Sequence, residues 1–447
     1  MADWSMLPSD LLREIALKSN TIKDLIYFSA VCQSWNDVFS KVKPDWNTIK
    51  SLPWLLLAEP KPESLPWLLP KPKPKPEPKH KPEPKRKPKR KLKPKPYNDS
   101  TTQPKSGRRN ILSMDENKCY KLMVPQTFGK QCWGSEHGWI VMFDADKKAE
   151  LFNPITKSQL SLPSLQTLPS YPVTHDNYYY YDDDDDYYID IDDDDYVYTI
   201  DSKKLFNMKE LVSKATVLKI PNVDELVVMV IHYPQNNLAF ARPGDKSWTP
   251  VLTSCTDRYL KVYYVMSWNE RMVILYRDGS LAYCEIGTCK PETFTSLPKG
   301  MLREIVNKQQ GDAYVVELGG DLLVVFRYRR YTIKYAPYEY HTTHFEVYKH
   351  VWNTTMSWEK VDDLGDFLLF IGHNFSTALH ISMAPNCQRN AIYFVDDETY
   401  SWRMEYKQGR GHDTGMFDMA SGQVIPFYQG RDKISKLFSP VWFTPKF

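Results

Sequence analysis

Apolar positions keep a helical period from Asp3 to about residue 42 and change rhythm after that. Leu11, Leu12, Ile15 and Ala16 fall on one helix face, and Pro8 stands where a helix can start, since its missing N–H is not needed in a first turn. Thr21-Ile22-Lys23-Asp24 is a second start, a capping box with an acidic side chain three places after the threonine. From there Leu25, Phe28, Cys32, Trp35 and Phe39 recur at alternating steps of three and four, which predicts one apolar stripe ended by Pro44. From Ile111 onward helical periods are scarce and short β-like runs follow one another. Trp139 to Phe143, Leu226 to His232, Met272 to Tyr276, Leu281 to Ile286, Asp321 to Tyr328, Phe345 to Lys349, Ala391 to Val395 and Val424 to Tyr428 are rich in Val, Ile, Tyr and Phe. Asp278-Gly279 predicts a hairpin turn, and Arg242-Pro243-Gly244-Asp245 has the order of a type II turn.

Many short strands with regular turns predict a β-propeller, with a sandwich as the other β architecture of this kind. The helical stretch stands apart from it. A unit of about 40 residues is at the limit of what buries an adequate core alone, so its surplus apolar residues call for a partner.

Between the two patterns lies a segment of a different kind. Ser51-Leu52-Pro53-Trp54-Leu55-Leu56 returns as Ser64-Leu65-Pro66-Trp67-Leu68-Leu69, and alternating Lys-Pro follows. Residues 70 to 96 hold ten prolines and thirteen Lys and Arg against Glu77 and Glu83, a composition expected to be an extended, solvated polyproline-II array. Residues 176 to 195 carry eleven Asp and no Lys or Arg. These opposed blocks cancel, so the 447-residue chain has 58 basic and 55 acidic residues and a net charge of only +3, which by itself selects no class of partner. The 42% hydrophobic content, with 29 Tyr and 13 Trp, excludes a wholly disordered chain. Seven scattered Cys, with neither a signal-peptide pattern at the N-terminus nor a long apolar run, lead to the expectation of a reduced protein of the nucleus and/or cytoplasm with no membrane partner.

The run Leu7-Pro8, Leu11-Leu12, Ile15, Leu25 and Val31-Cys32-Gln33-Ser34-Trp35 resembles an F-box. The later chain resembles the KIB-type β-propeller of a large plant family of F-box proteins. The matching segments include Gly134-Ser135-Glu136-His137-Gly138-Trp139, Leu151-Phe152-Asn153-Pro154-Ile155-Thr156, Leu238 to Trp248, Gly319-Gly320-Asp321-Leu322-Leu323, Phe345 to Lys349, Leu364-Gly365-Asp366, Asn390 to Phe394 and Pro440 to Pro445. The resemblance implies an α+β multidomain protein, with a small N-terminal three-helix F-box followed by an all-β propeller of six or seven blades. Its divisions are 3–42, the F-box; 51–69, the repeated Trp-Leu-Leu segment supplying the first propeller strand; 70–110, a disordered Lys/Pro-rich insertion; and 111–447, the propeller with a disordered Asp/Tyr-rich loop at 176–198. Closure of the ring should pair the Trp54 or the Trp67 copy with the strand around Pro440 to Thr444, because an open ring leaves two sheet edges bare.

The resemblance also implies a role. Leu7, Pro8, Leu11, Leu12, Ile15, Leu25, Val31, Cys32 and Trp35 would bind a Skp-type adaptor, and through it a cullin, with Trp35 bracing the helices. The chain would then be a non-catalytic substrate-recognition subunit of an SCF-type ubiquitin ligase, recruiting an unknown protein target. The alternative is a scaffold outside any ligase that binds chromatin or RNA through the basic array. No cofactor is expected: His137 near Ser135 lacks a Gly-x-Ser-x-Gly elbow, the chain has neither nucleotide-binding glycine motif, His341, His344 and His350 lack paired zinc spacing, and Cys284 and Cys289 have no second pair. Asp182 to Asp186 and Asp192 to Asp195 lack a glycine-centred calcium loop and read as a solvated acidic tract.

Lys85, Arg86, Lys87, Lys89, Arg90 and Lys91 form the densest cationic block, suited to an import receptor or a phosphate backbone. Replacing these six by Gln in a fluorescent fusion should reduce nuclear accumulation, and deleting residues 71 to 95 should leave the melting temperature nearly unchanged. An unaltered distribution of the fusion would reduce the block to a spacer.

Overall fold

The computed structural model describes residues 4–18, 22–41, 52–57, 108–114, 116–127, 130–169, 211–220, 225–232, 236–251, 262–268, 271–285, 291–307, 311–331, 340–352, 357–397, 411–428 and 439–446. The Lys/Pro array, the Trp67 copy of the repeat, the Asp-rich loop and the six-cation block lie outside the described residues.

Three helices open the chain: α1 (Ser9–Lys18), α2 (Ile22–Ala30) and α3 (Gln33–Lys41). Leu12 N donates to Pro8 O at 3.1 Å, so the proline carbonyl opens α1. The continuous stripe expected from Leu25 to Phe39 is instead broken in two. Val31 N closes a tight turn on Phe28 O and Asn36 N begins a new helical ladder on Cys32 O, so the period of three and four survives while the axis turns between Ala30 and Gln33. Trp35 then packs across the bend on Phe28, ring centroids 4.6 Å apart, with its indole N–H donated to Trp4 O at 2.9 Å.

Twenty-five strands form six sheets among the described residues, which settles the blade number at six. Blade 1 holds β1 (Trp54–Leu56), β2 (Arg108–Ser113) and β3 (Lys118–Met123), and blade 2 holds β4 (Gln131–Gly134), β5 (Ile140–Phe143), β6 (Ala149–Phe152) and β7 (Gln159–Leu162). Blade 3 is β8 (Val212–Ile220), β9 (Glu225–His232), β10 (Asn237–Ala241) and β11 (Thr249–Pro250). Blade 4 is β12 (Val262–Trp268), β13 (Arg271–Tyr276), β14 (Ser280–Cys284) and β15 (Glu292–Ser296), and a helix the sequence pattern did not predict, α4 (Met301–Asn307), leads into blade 5. Blade 5 is β16 (Gly311–Leu318), β17 (Asp321–Tyr331), β18 (Tyr340–Val351) and β19 (Ser357–Val361). Blade 6 has five strands, β20 (Phe367–Ile371), β21 (Thr377–His380), β22 (Ala391–Phe394), β23 (Gly415–Asp418) and β24 (Gln423–Ile425), with β20 and β22 parallel. The expected strand at Val424 to Tyr428 is therefore short and ends at Ile425, while that at Phe345 to Lys349 extends to both sides. Both predicted turns form: Gly279 N bonds Tyr276 O and Asp245 N bonds Arg242 O, with Gly279 and Gly244 at positive φ, where a side chain would be strained.

The last strand, β25 (Val441–Phe443), returns to blade 1 as its innermost member. It pairs antiparallel with β1 in the register Trp54↔Phe443, Leu55↔Trp442 and Leu56↔Val441, so the Trp54 copy supplies the closing strand. Trp442 is fully buried, donates its indole N–H to Ile371 O at 3.0 Å and meets Phe370 edge-on. Asn374 donates to both Trp442 O (2.7 Å) and Gly134 O (2.9 Å), holding blade 6, β25 and β4 at one point. The apolar clusters lie between neighbouring blades, so each middle strand is covered on both faces and reads as a continuous apolar run, as in Met272 to Leu275 and Leu322 to Phe326.

A buried ionic group fastens blade 5 to blade 6. Arg327, fully buried on β17, donates to Asp397 Oδ1 (2.9 Å), Val395 O (2.6 Å), Asp413 Oδ2 and O (2.9 Å each) and Thr342 Oγ1 (2.7 Å). Two residues on, Arg329 bonds Asp312 and also Asp397 Oδ1 at 2.8 Å. Burial alone would raise the Asp413 pKa, but the Arg327 and Arg329 guanidiniums and the Thr342 N–H outweigh it and hold the carboxyl below its ordinary value.

Two predictions follow from this closure and this ionic group. A Cβ at Gly134 would lie 2.0 Å from Trp442 O and 2.8 Å from Phe443 Cβ, so Gly134→Ala should cost at least ~1 to 3 kcal/mol; a melting temperature equal to wild type would show that the close approach is dispensable. Asp413→Asn leaves Arg327 partly unpaired and should cost ~3 to 5 kcal/mol near neutral pH. Because the folded-state pKa lies below the unfolded one, the carboxylate's contribution is complete above the unfolded value of ~3.9 and is lost as pH falls through the folded value. The gap between variant and wild type should therefore narrow in acid, and a gap constant with pH in denaturant titrations would contradict the assignment.

Candidate functional site

The helical unit sorts its apolar residues into two sets. Leu12, Ala16 and Leu25 are fully buried and Phe28 is nearly so, in one apolar cluster that continues into Trp54, Leu56, Ile111, Ile140, Phe152 and Phe443 of blades 1 and 2. Leu11, Ile15 and Val31 remain 49%, 43% and 51% exposed. Leu11 and Ile15 lie one turn apart on a stripe rotated from Leu12 and Ala16 by about 100°, the angle of one residue. Trp4, Met6, Leu17 and Tyr27 add further exposed apolar surface on the same small unit, a density unusual for a face left in water. Of the nine residues expected to bind an adaptor, Leu11, Ile15 and Val31 therefore face outward, Pro8 is exposed, and Leu7, Cys32 and Trp35 are partly buried. Leu12 and Leu25 belong to the internal core instead, because the three-helix packing has already covered them.

The second feature is the central channel. The innermost strands run β25, β4, β8, β12, β16, β21 around the ring. A polar cavity of about 240 Å³ opens among them, lined by Glu136, Thr216, Ser267, Glu317, Ser376 and Thr377 with Val265, Met266 and Phe375 as apolar walls. Nearby, between the blades, Lys214 is fully buried on β8 with its Nζ over the Tyr264 ring, and burial drives its pKa well below the ordinary lysine value.

Ser135 and His137 stand beside the channel as a turn. Ser135 Oγ donates to Trp139 O at 2.7 Å and accepts from His137 N at 3.3 Å, while Ser135 O accepts from Thr444 N. The serine hydroxyl thus meets backbone, and the Gly-Ser-Glu-His-Gly-Trp segment is the seat of the returning C-terminal strand. Asn153 completes it by donating to Lys446 O at 2.8 Å. The remaining histidines are dispersed: His350 is buried against Thr295 Oγ1, His344 is exposed and stacks on Tyr328, and His341 is exposed on β18. Among the described residues no three His, Cys, Asp or Glu side chains converge as a metal set, and no helix is long and apolar enough to cross a membrane. Cys284 is buried, and Cys289 lies outside the described residues.

Comparison with known proteins agrees with this division. Residues 4–47 match the F-box domain, and residues 111–418 match the family described as the KIB1-4 β-propeller. The chain belongs to that family. The F-box protein SKIP23 of Arabidopsis thaliana is 24% identical over 465 residues, covering 99% of this chain and 96% of that one. A further Arabidopsis thaliana chain bearing the F-box name is 27% identical over 248 residues, 55% of this chain and 62% of that one. Among solved structures, YCF48 from Cyanidioschyzon merolae overlaps 57% of this chain and 67% of its own at 8% identity, with a TM-score of 0.27. The KIB1-4 match begins at Ile111 in β2, so the β1 strand that closes the ring lies upstream of it, between the two matched segments. The β1 strand was legible only through the Trp-Leu-Leu repeat, and the polar channel lining had no sequence signal of its own.

Proposed function

We propose that this chain is a non-catalytic substrate receptor of an SCF-type ubiquitin ligase. The F-box docks a Skp-type adaptor, and through it a cullin, while the KIB1-4 propeller holds a protein target. The observation that carries the reading is the exposure of Leu11 and Ile15 on α1 and of Val31 between α2 and α3, on a helical unit whose inward residues are already covered. Full burial of such side chains yields roughly 1.5 to 3 kcal/mol each, and since these are already about half covered, a partner gains about half of that from each. Covalent chemistry then belongs to other subunits, and this chain contributes proximity and orientation.

Separate variants test the reading. Leu11→Ala, Ile15→Ala and Val31→Ala combined should abolish capture of a purified Skp-type adaptor while leaving the melting temperature of the free chain within about 1 °C, since exposed positions contribute little to the fold. Leu12→Ala should instead destabilise the helical unit itself, by ~2 to 5 kcal/mol. Undiminished adaptor capture by the triple variant would reject this docking mode. Salt-sensitive nucleic-acid binding that vanishes with residues 71 to 95, in a chain that captures no adaptor, would favour the scaffold reading instead.

A further inference from the structure

We propose that the mouth of the propeller channel is a receptor site for the protonated side chain of a lysine on the protein target. The inference rests on the substrate-receptor reading for the identity of the partner, and on the channel alone for the chemistry. Glu136 follows β4 in blade 2 and Glu317 belongs to β16 in blade 5, so in a ring of six they come from opposite sides of the same cavity. Ser267, Thr216 and Thr377 line the space between them from blades 4, 3 and 6, which makes the cavity a convergence of four inner strands and the loop after β4.

The two carboxylates differ in what they already hold. Glu136 has the Lys446 ammonium and the facing Glu317 carboxylate in its neighbourhood and comes within 3.5 Å of His137 Nε2, a buried ring nitrogen that makes no hydrogen bond. Burial keeps this imidazole neutral, with its pKa lowered to about 3. Glu317 has neither an ion pair nor a hydrogen bond among the described residues, although it is only partly exposed. Desolvation therefore costs Glu317 something that no group among the described residues returns, and a cation in the cavity would return it.

The arrangement selects among cations. A primary ammonium is a compact charge with three rotatable donors, and separate acceptors on opposite walls suit it. A guanidinium prefers one carboxylate met side by side in its plane. A hard divalent ion needs six or more oxygen ligands at short range, and no such set converges here among the described residues. The space matches as well. About 240 Å³ is some eight times the ~30 Å³ share of a water molecule, with Val265, Met266 and Phe375 available to a methylene stem.

The test uses the full chain, purified after co-expression with a Skp-type adaptor whether or not the adaptor is retained, and the blocked pentapeptide Gly-Ala-Lys-Ala-Gly, with binding followed by saturation-transfer NMR. The lysine peptide should bind, its Nε-acetylated form should lose binding, and the arginine peptide should bind at least about tenfold more weakly. Glu317→Gln should weaken the lysine peptide about tenfold, the loss expected for one charge-assisted hydrogen bond, whereas Glu359→Gln on the exposed strand β19 should leave it unchanged. Equal binding of the acetylated or arginine peptide, an unaffected Glu317→Gln variant, or no lysine binding up to about 10 mM would each overturn the site. Adaptor retention read on the same samples separates the two inferences. A chain that binds the lysine peptide but no adaptor overturns the ligase reading and leaves the channel site standing.

Discussion

Everything in this molecule depends on where its C-terminal strand goes. A ring of six separate sheets has no covalent closure, and each terminal blade otherwise offers a bare edge to water and to other chains. Here β25 enters blade 1 from the C-terminal end and lies inside β1, which arrives from the N-terminal end. Closure thus couples residues some 390 positions apart, and Trp54↔Phe443 is the register that joins the two ends. The contacts that hold it are specific: Trp442 filled in behind Ile371, Asn374 bridging two carbonyls, and the glycine of the Gly-Ser-Glu-His-Gly-Trp turn admitting the strand at a distance no side chain would permit. What looked in sequence like a serine and histidine motif is the receiving half of this latch.

The ionic group between blades 5 and 6 meets a different need. Apolar contacts between blades are largely non-directional, and a slip of one residue along a strand would still bury apolar surface. Arg327 has no such freedom, because its five donor hydrogens reach carboxylates or carbonyls on two loops and a hydroxyl on β18 at once. The net stabilisation from a buried ion pair is small against an apolar replacement. Its geometry nevertheless fixes the strand ends after β22 and before β23 relative to β17, the stretch where blade 6 departs from the regular four-strand order.

Legibility followed burial. The middle strands β5, β9, β13 and β17 were readable because neighbouring blades cover both faces and leave an uninterrupted apolar run. Of the inner strands only β25 was anticipated, and that through the resemblance of its segment and not through its pattern. β8 and β16 carry Thr216 and Glu317 into the channel lining and Lys214 and Asp312 into buried polar contacts, so their polar residues break the pattern that identifies a strand. The outer strands β3, β7, β15 and β19 mix exposed and half-buried positions, and their sequences resemble loops. In the helical unit the spacing of Leu25, Phe28, Cys32, Trp35 and Phe39 was right about burial and wrong about continuity, because a tight turn between two helices keeps the apolar period while changing the axis. The division of Leu11 from Leu12 and of Ile15 from Ala16 is likewise invisible to a pattern that counts all four on one face. Only the packed unit shows which pair is spent on the core.

That division bears on how a receptor of this build would work. The inward residues of the F-box share a continuous apolar cluster with Trp54, Leu56 and Phe443, three of the six residues whose pairing closes the ring. The docking helices are therefore seated on the closure itself and not merely tethered to it by the residues between α3 and β1. A flexible tether would let a target sample many positions, and the effective concentration of its reactive group would fall as the accessible volume grew. Seating the helices on the closure of the ring fixes the channel mouth relative to the exposed apolar residues of the helical unit, and under the proposed receptor role orientation would be set before a target arrives.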